Sequence, residues 1–542
     1  MTGPEAQGFY EGLRLFMTKW RNTSFILGVL VLLCGCAVGP DYVRPAAEVP
    51  VSYKEMEGWK KAEPRDHLIR GAWWEIFDDP YLNGLEEQVD LSNQNIAVAE
   101  AQLRQARALV RIAQAGYFPT VTIGASYTRS LNSSGAGGLV RGSTSTLGSS
   151  GAGGSSSAVS DYVLLGAVSW EPDLWGRIRR TVESSRASAQ ASAADLGATR
   201  LLIQAELAQN YFQLRTLDAQ KQLLDTTVIA FQKFLELTKN RYDRGVASRA
   251  DVLQAETQLK TTQAQAIDIG VLRAQLEHAI ASLVGKPASV FSIPATPMTL
   301  IPPEIPAGVP SELLERRPDI AGAERRMAGA NAQIGVAVAA YYPTVTLSAT
   351  GGFAGSKLAD LLKWPNRFWS VGASVSEIVF QGGLRHAQTA QARAAYDATV
   401  ASYRETVLTG FQEVEDNLAA LRILQDEAQM QDEAVKAAQQ TVTVTTNQYK
   451  AGTVNYLNVI VAQAAALNNE ITSLNILGRR MAASVLLVKA LGGDWSNSAM
   501  SSGSNPDDKG DKQREPAGTQ ALPPKPSSQN FPPMTNDPMS FH

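Results

Sequence analysis

The chain carries one pattern twice, and that repeat limits its architecture more than any local motif does. Asn95-Ile96-Ala97 through Glu100, followed by Ala115-Gly116-Tyr117-Phe118-Pro119-Thr120-Val121-Thr122-Ile123, recurs as Asp319-Ile320-Ala321 through Glu324 and Ala339-Ala340-Tyr341-Tyr342-Pro343-Thr344-Val345-Thr346-Leu347. Arg241-Tyr242-Asp243-Arg244-Gly245-Val246 with Asp251-Val252-Leu253 recurs as Gln448-Tyr449-Lys450-Ala451-Gly452-Thr453 with Asn458-Val459-Ile460. The offset between copies shrinks by about 17 residues between these matches, which a longer Gly/Ser-rich loop in the first copy, Asn132 to Ser157, accounts for. Each half reads helix, strand, strand, long helix, turn, helix. Gly176 to Tyr242 and Gly383 to Tyr449 contain no proline, and each is long enough for a helix of roughly 100 Å at 1.5 Å per residue. A single globular core cannot hold such helices. Ile269, Leu272, Leu276, Ala279 and Leu283, and again Phe411, Val414, Leu418 and Leu421, recur at steps of three and four, the spacing of helices packed side by side. Taken alone, those seams fit a soluble helical bundle equally well.

The strands between the helices alternate. Thr120, Thr122, Gly124 and Ser126 interleave with Val121, Ile123, Ala125 and Tyr127; Thr344, Thr346 and Ser348 with Val345, Leu347 and Ala349; Ser370, Gly372, Ser374 and Ser376 with Trp369, Val371, Ala373 and Val375. Tyr162 to Glu171 supplies a fourth strand. Lengths near ten residues, one apolar face and one polar face suit tilted strands crossing a bilayer around a wet interior. Tyr117, Phe118, Trp170, Trp175, Tyr341, Tyr342, Phe368 and Trp369 stand at strand ends, where interfacial aromatics collect. A half-buried soluble sheet would show the same alternation, but hairpins spliced between such helices have no evident soluble core to cover. Four strands cannot close a barrel, and unpaired edge groups in hydrocarbon cost several kcal/mol each, so several chains must share one barrel. Three chains would give twelve strands, an even number that cyclic symmetry closes.

The N-terminus is an export signal. Lys19 and Arg21 precede a short apolar run, Phe25 to Leu33, and Met17 fits the start of that segment. The run ends in Leu33-Cys34-Gly35-Cys36, which resembles the lipobox of bacterial lipoproteins, where cleavage before the cysteine leaves it as an acylated first residue; this implies Cys36 as the lipidated start of the mature protein, and an ordinary secretory signal with two incidental cysteines is the alternative. Several acyl chains at roughly 0.8 kcal/mol per buried CH₂ would hold it firmly on a membrane. These are the chain's 2 cysteines, so the remaining sequence can form neither an internal disulfide nor a thiolate metal site. A net charge of -3 over 542 residues leaves no footprint for nucleic acid. No run of about 20 apolar residues appears, so no membrane-spanning helix is expected. H-E-x-x-H, Walker A, G-x-G-x-x-G and G-x-S-x-G patterns are missing, and His67, His278, His386 and His542 have no metal-like spacing, so neither enzyme chemistry nor a bound metal or other cofactor is expected. Residues 497 to 542, rich in proline and polar residues, read as a disordered tail.

In this order the pieces resemble the TolC-type outer-membrane efflux proteins, specifically the lipoprotein branch that forms the outer-membrane component of tripartite RND-type pumps. The resemblance covers nearly all of residues 36 to 495. It rests on the lipobox, on Gly39-Pro40-Asp41-Tyr42 with Arg44-Pro45, and on Trp73-Trp74 with Phe77, Asp79-Pro80 and Leu82. It rests further on Asp173-Leu174-Trp175-Gly176-Arg177, on Arg316-Arg317-Pro318-Asp319-Ile320, and on the two Tyr-x-x-Gly turns. It implies a mixed α+β membrane protein: a trimeric twelve-stranded outer-membrane β-barrel, four strands per chain, continued by a long periplasmic α-helical barrel. The expected division is a signal peptide over 1–35, a lipidated N-terminal segment and equatorial region over 36–94, and a first repeat over 95–285 with strands near 119–129 and 161–171. A linker over 286–316, a second repeat over 317–495 with strands near 343–350 and 369–379, and the tail over 496–542 complete it.

The implied function is a passive exit channel for small molecules such as drugs, toxic compounds or metal ions, held in the outer membrane of a Gram-negative bacterium as a homotrimer among outer-membrane lipid. A periplasmic membrane-fusion adaptor would dock it to an RND-type inner-membrane transporter. The two turns would form the periplasmic tip, with Gly245, Val246, Ala247, Gly452, Thr453 and Val454 as adaptor contacts. Asp251 and Tyr449 match a pair that helps to hold the family's tip shut, and a hydrogen bond between them is one expectation; the other is that Asp251 serves as a first-turn acid favoured by the helix dipole. Val454, Asn458 and Val461 stand where TolC has an arginine and two aspartates, so an amide or apolar constriction including Leu457 is expected in place of a charged one. Two alternatives remain at this stage: a type I protein-secretion channel, and a structural periplasmic coiled-coil lipoprotein.

Overall fold

The computed structural model describes residues 37–46, 50, 52–55, 72–131, 158–296, 302–303, 305 and 316–493. The signal segment with Cys36, the Gly/Ser-rich stretch, His67, His542, most of the linker and the tail lie outside the described residues.

A short 3₁₀ turn, Trp73–Phe77, leads into α1 (Pro80–Ser92), whose N-terminus is capped by the Asp79 carboxylate accepting from the amides of Tyr81 and Leu82. Next come α2 (Gln94–Ala115), β1 (Thr120–Leu131), β2 (Ala158–Trp170), the long α3 (Arg177–Asp243) and α4 (Arg249–Leu283). The second copy follows the same order: α5 (Pro318–Ala339), β3 (Thr344–Gly355), β4 (Arg367–Ser376), the long α6 (Leu384–Ala451) and α7 (Tyr456–Ala490). The repeat deduced from sequence is therefore a repeat of structure. The strands are longer at their hairpin ends than expected, reaching Leu131 and Gly355 and beginning at Ala158 and Arg367, and β4 ends earlier, at Ser376.

All four strands form one antiparallel sheet in the order β1-β2-β3-β4. Register settles the faces. Val121, Val168 and Ala349 lie across from one another on the apolar face, which a barrel in lipid turns outward, as do Ile123, Gly166 and Gly351, and as do Leu347 and Ala373. The opposite face carries Thr120, Thr122, Ser126, Ser348, Thr350, Ser370 and Ser374, although β2 contributes Val163 and Leu165 there and β4 contributes Phe368, so of the two aromatics expected at that end only Trp369 is on the apolar face. The sheet has two open edges, β1 and β4, and its outward residues Ile123, Trp369, Val371 and Val375 are exposed in the single chain.

Helix packing follows the sequence seams with one shift. Phe411, Val414, Leu418 and Leu421 are buried as expected. On α4 the buried line runs through Ala255, Leu259, Thr262, Ala266, Ile280 and Leu283, so Leu272 falls off the seam and is exposed. Arg273 takes the place expected for Leu272: its Nε donates to Asp218 at 2.7 Å and its Nη2 donates to the Ile293 carbonyl at 2.7 Å. An arginine whose stem packs and whose head is paired can occupy a seam position that periodicity alone assigns to an apolar residue. α7 is the one described helix long and apolar enough by composition to cross a membrane. It instead packs along α3 and α6, with Val459, Ile476, Met481, Val485, Leu487 and Val488 buried.

Two sequence motifs prove to be joints. Arg317 pairs with Asp319 and with Glu413 of α6, each at 2.7 Å, and donates to the Ala490 carbonyl at the end of α7 at 3.1 Å. The N-terminal strap, residues 37–46, lies along α3, α5 and α6. Arg180 donates to Asp41 at 2.9 Å, Asn331 donates to the Pro40 carbonyl at 3.0 Å, and Arg44 donates to the Tyr403 hydroxyl at 3.1 Å. Gly39, at φ 100°, crosses so closely over Gly335 that a Cβ on it would stand 2.5 Å from the Gly335 Cα.

Candidate functional site

The residues expected to carry function lie in two regions: the sheet with its junction to the helices, and the opposite end, where α3 turns into α4 and α6 into α7.

At the junction, aromatic rings form a collar. Trp175 stacks on Tyr342 with centroids 4.8 Å apart and donates its indole N–H to the Pro343 carbonyl at 2.7 Å. Trp170 donates to the Tyr117 carbonyl at 3.0 Å. Phe368 and Trp369 lie at the start of β4, toward the hairpin loops. The expected aromatics thus fall into two groups, one at each end of the strands. The strap begins at this collar: Val38 N–H donates to the Trp175 carbonyl at 3.1 Å, and a Cβ on Gly176 would be 2.7 Å from the Ala37 Cα.

At the tip, both turns use glycine at positive φ, Gly245 at 74° and Gly452 at 78°. Their helix ends close in the same way. Val246 N–H donates to the Arg241 carbonyl at 2.9 Å, and Thr453 N–H donates to the Gln448 carbonyl at 3.0 Å, satisfying carbonyls that would otherwise be left over at each helix end. A Cβ on either glycine would meet nothing within 4 Å, so the turns are open surface. Gly245, Val246, Gly452 and Thr453 are exposed, while Ala247 and Val454 are half-buried.

The expected bond between Asp251 and Tyr449 is not formed. The Asp251 carboxylate accepts from the Ser248 amide at 3.0 Å while the Ser248 hydroxyl accepts from the Asp251 amide at 3.1 Å, a reciprocal capping box. The first-turn role is the one realised, because the cap offers a local donor at no cost in chain ordering. The Tyr449 hydroxyl is buried without a hydrogen-bond partner. Its ring instead packs against the Arg241 guanidinium, whose Cζ is 4.7 Å from the centroid, and against Tyr456, whose centroid is 5.4 Å away. Phe234 stacks on Tyr456 with centroids 6.2 Å apart, and Arg241 also donates to the Lys450 carbonyl at 3.2 Å. The cluster therefore ties α3, through Phe234 and Arg241, to α6 and α7. Burial pushes the Tyr456 hydroxyl up to about 12, with the Tyr449 hydroxyl and the Asp251 charge adding to the shift.

Leu457, Asn458 and Val461 all lie on the exposed side of α7, opposite buried Tyr456, Val459 and Ala462. Spacing of one and four residues puts them on one helix face, where they present an amide flanked by two aliphatic groups. Sequence reasoning singled out those three but missed Arg241, Phe234 and Tyr456. The available signal was the repeat itself: Arg241 aligns with Gln448, and Tyr456 with Arg249, so these are places where the two copies differ in kind. Among the described residues no group of His, Cys, Asp or Glu side chains has the arrangement of a metal site.

Comparison with known proteins gives a consistent result. A family model described as outer membrane efflux protein matches residues 85–286 and 309–493. The chain is 30% identical over 480 residues to the probable efflux pump outer membrane protein TtgC of Pseudomonas putida, covering 87% of this chain and 94% of that protein. It is 30% identical to the pyoverdine export outer membrane protein OpmQ of Pseudomonas aeruginosa, covering 88% of this chain and 98% of that one. The solved structure of the outer-membrane channel OprN superposes with a TM-score of 0.77 at 31% identity, over 84% of this chain and 99% of that one.

Proposed function

The chain belongs to the outer membrane efflux protein family, and from that premise we propose how its tube closes, what meets its tip and how it is anchored. The protein is an outer-membrane efflux channel with the fold of the TolC-type channels, a shared barrel continued by periplasmic helices. The family is one of channels rather than enzymes. The observation that carries this for the chain itself is the four-stranded sheet with an apolar outward face, a largely polar inner face and two open edges. Only edge-to-edge joining with further copies pairs those groups in hydrocarbon. Three copies, giving twelve strands, are the arrangement proposed.

Closure at the periplasmic end rests on two layers. The exposed face of α7 lines the axis with Leu457, Asn458 and Val461, which by symmetry make a ring of amides between two aliphatic rings. Behind it, Arg241, Tyr449, Tyr456 and Phe234 brace α6 and α7 against α3. Opening requires a partner that binds the splayed tip more tightly than the closed one, because equal affinity shifts nothing. That partner is a periplasmic adaptor meeting Gly245, Val246, Ala247, Gly452, Thr453 and Val454, with an RND-type transporter beyond it supplying the free energy. The cargo is small molecules, the class to which pyoverdine, exported by the OpmQ relative, belongs.

Anchoring is by acyl chains on Cys36. What supports this is the placement of the neighbouring Ala37 against Gly176 at the aromatic collar, the level at which a lipid surface meets the barrel. Planar-bilayer recording of the purified oligomer tests the whole reading. Wild type should show a small resting conductance, and Leu457→Gly with Val461→Gly should raise it several-fold. An oligomer that never conducts, with or without those changes, would sink the channel reading.

A further inference from the structure

The loop joining β3 to β4, residues 356–366, is a built structure. Asp360 N–H donates to the Lys357 carbonyl at 3.2 Å, Lys363 N–H donates to the Asp360 carbonyl at 3.0 Å, and the Asn366 side chain donates to the same Asp360 carbonyl at 2.7 Å. Leu361 is buried beneath it. With the backbone so fixed, Leu358, Leu362 and Trp364 are nonetheless turned outward, Trp364 at 70% exposure. An internally bonded loop that displays three large apolar side chains has them available for contact.

The loop closes the hairpin at the outer end of β3 and β4, next to the last residues of the sheet's apolar face. Arg367 is opposite Phe353, Trp369 opposite Gly351 and Val371 opposite Ala349, all on the side that meets hydrocarbon in the closed barrel. The Arg367 guanidinium lies over the Trp364 ring, with Cζ 3.6 Å from the centroid. Lys357 and Lys363 add two further exposed cations; Asp360 is the one carboxylate in the loop and pairs with Lys363 at 2.7 Å. Lys357 makes no ion pair among the described residues. The loop lies at the end of the strands away from the helices, and so at the outer rim. Three cations to one acid thus stand where an apolar face meets water, a pattern that fits a ligand carrying phosphates on top of hydrocarbon chains.

We propose that this loop and the outer end of β4 form a binding site for a phosphorylated, acylated glycolipid of the outer leaflet. Lys357, Lys363 and Arg367 take the phosphates, while Leu358, Leu362, Trp364 and Trp369 lie along the acyl chains. The proposal rests on the outer-membrane channel reading.

The test is native mass spectrometry of the full-length oligomer, with planar-bilayer conductance recorded in parallel. The probes are bisphosphorylated lipid A, the same lipid after phosphatase treatment, zwitterionic phosphatidylethanolamine, and inorganic phosphate as competitor. Wild type should hold the phosphorylated lipid about tenfold more tightly than either of the others, a difference of about 1.4 kcal/mol. Lys357→Gln with Lys363→Gln and Arg367→Gln should abolish that preference and leave conductance unchanged, and Trp364→Ala should weaken retention of both lipid A forms. Equal retention of all three lipids by wild type overturns the proposal, as does a preference that survives in the triple variant. Displacement by inorganic phosphate at similar concentration would make it a small-anion site only. Protection of Lys357 from amine labelling in lipid-free oligomer would give the loop to a neighbouring subunit. Should the triple variant fail to assemble, the phosphatase comparison on wild type decides alone, and loss of conductance by wild type would strike the channel reading separately.

Discussion

The two periplasmic turns share a backbone and differ in what holds them. The α3–α4 turn is closed by its own residues: Ser248 and Asp251 cap α4 reciprocally at 3.1 and 3.0 Å, and Val246 is 64% exposed. The α6–α7 turn has a weaker cap, the Asn455 side chain accepting from the Asn458 amide at 3.4 Å, and relies on packing, with Tyr449 and Tyr456 buried at 3% and 1% exposure. Both turns share one cluster, which Ala255 of α4 also enters, but the first adds a complete local cap while the second depends on the cluster to hold its two tyrosines. A turn held mainly by packing is the one whose position a partner can change by altering that contact, so under the closure proposed above α6 and α7 would move against a frame of α3 and α4.

The largest effect should come from emptying the second turn's core. Tyr456→Ala removes a buried ring in contact with Tyr449 and Phe234, and buried aromatic truncations cost about 3–5 kcal/mol. Resting conductance should rise severalfold. The matching change on the first turn, Ser248→Ala, costs about 1 kcal/mol of helix cap and should leave resting conductance unchanged. Equal leak from both would erase the distinction between frame and moving part.

Alkaline pH probes the same ring without mutation. Burial raises the Tyr456 hydroxyl from 10.0 to about 12, so the neutral form is favoured when the tip is packed. Its contribution is complete below pH 10 and is lost as pH rises toward 12. Conductance of wild type should therefore climb across that window, while Tyr456→Phe, which keeps the ring and loses the proton, should remain flat. Parallel curves for the two proteins would place the sensitivity elsewhere.

Arg241→Leu should give a smaller change. It removes the cation over Tyr449 and the bond to the Lys450 carbonyl but preserves much of the stem's packing. A loss of about 1–2 kcal/mol is expected for a partly desolvated cation–π contact, read as a modest rise in leak. Arg241→Lys should recover part of it, since an ammonium keeps the charge but not the planar stack.

The architecture was legible because it is repeated and periodic: proline-free helices, alternating strands and matching turns all register in a single sequence. What escaped depends on choices among chemically equivalent partners. Leu272 and Arg273 both suit a helix, and only the Asp218 carboxylate and Ile293 carbonyl beside the latter explain why the arginine takes the seam. Strand β3 runs on through Gly351, Gly352 and Gly355, residues whose weak strand propensity hides a ladder that β2 and β4 complete on either side. Leu457, Asn458 and Val461 were legible as a face of α7, whereas the brace behind them joins residues more than two hundred positions apart.

The smallest expected effect bears most directly on how the tip is held. Asp251 and Tyr449 were the natural pair for a bond between the turns, yet Asp251 is occupied by Ser248 and the Tyr449 hydroxyl has no partner. Removing a buried, unpaired hydroxyl strands nothing and can even stabilise, because its desolvation cost disappears. Tyr449→Phe should accordingly leave resting conductance within error of wild type, or lower it slightly, while Asp251→Ala weakens only the cap of α4. The double variant should come close to the sum of two near-neutral changes, since no hydrogen bond joins the two side chains and they meet only through the Tyr456 hydroxyl. A double variant that leaks as strongly as Tyr456→Ala would mean that the assembled trimer forms a bond the single chain does not. The two turns would then be fastened to each other rather than separately to their own helices.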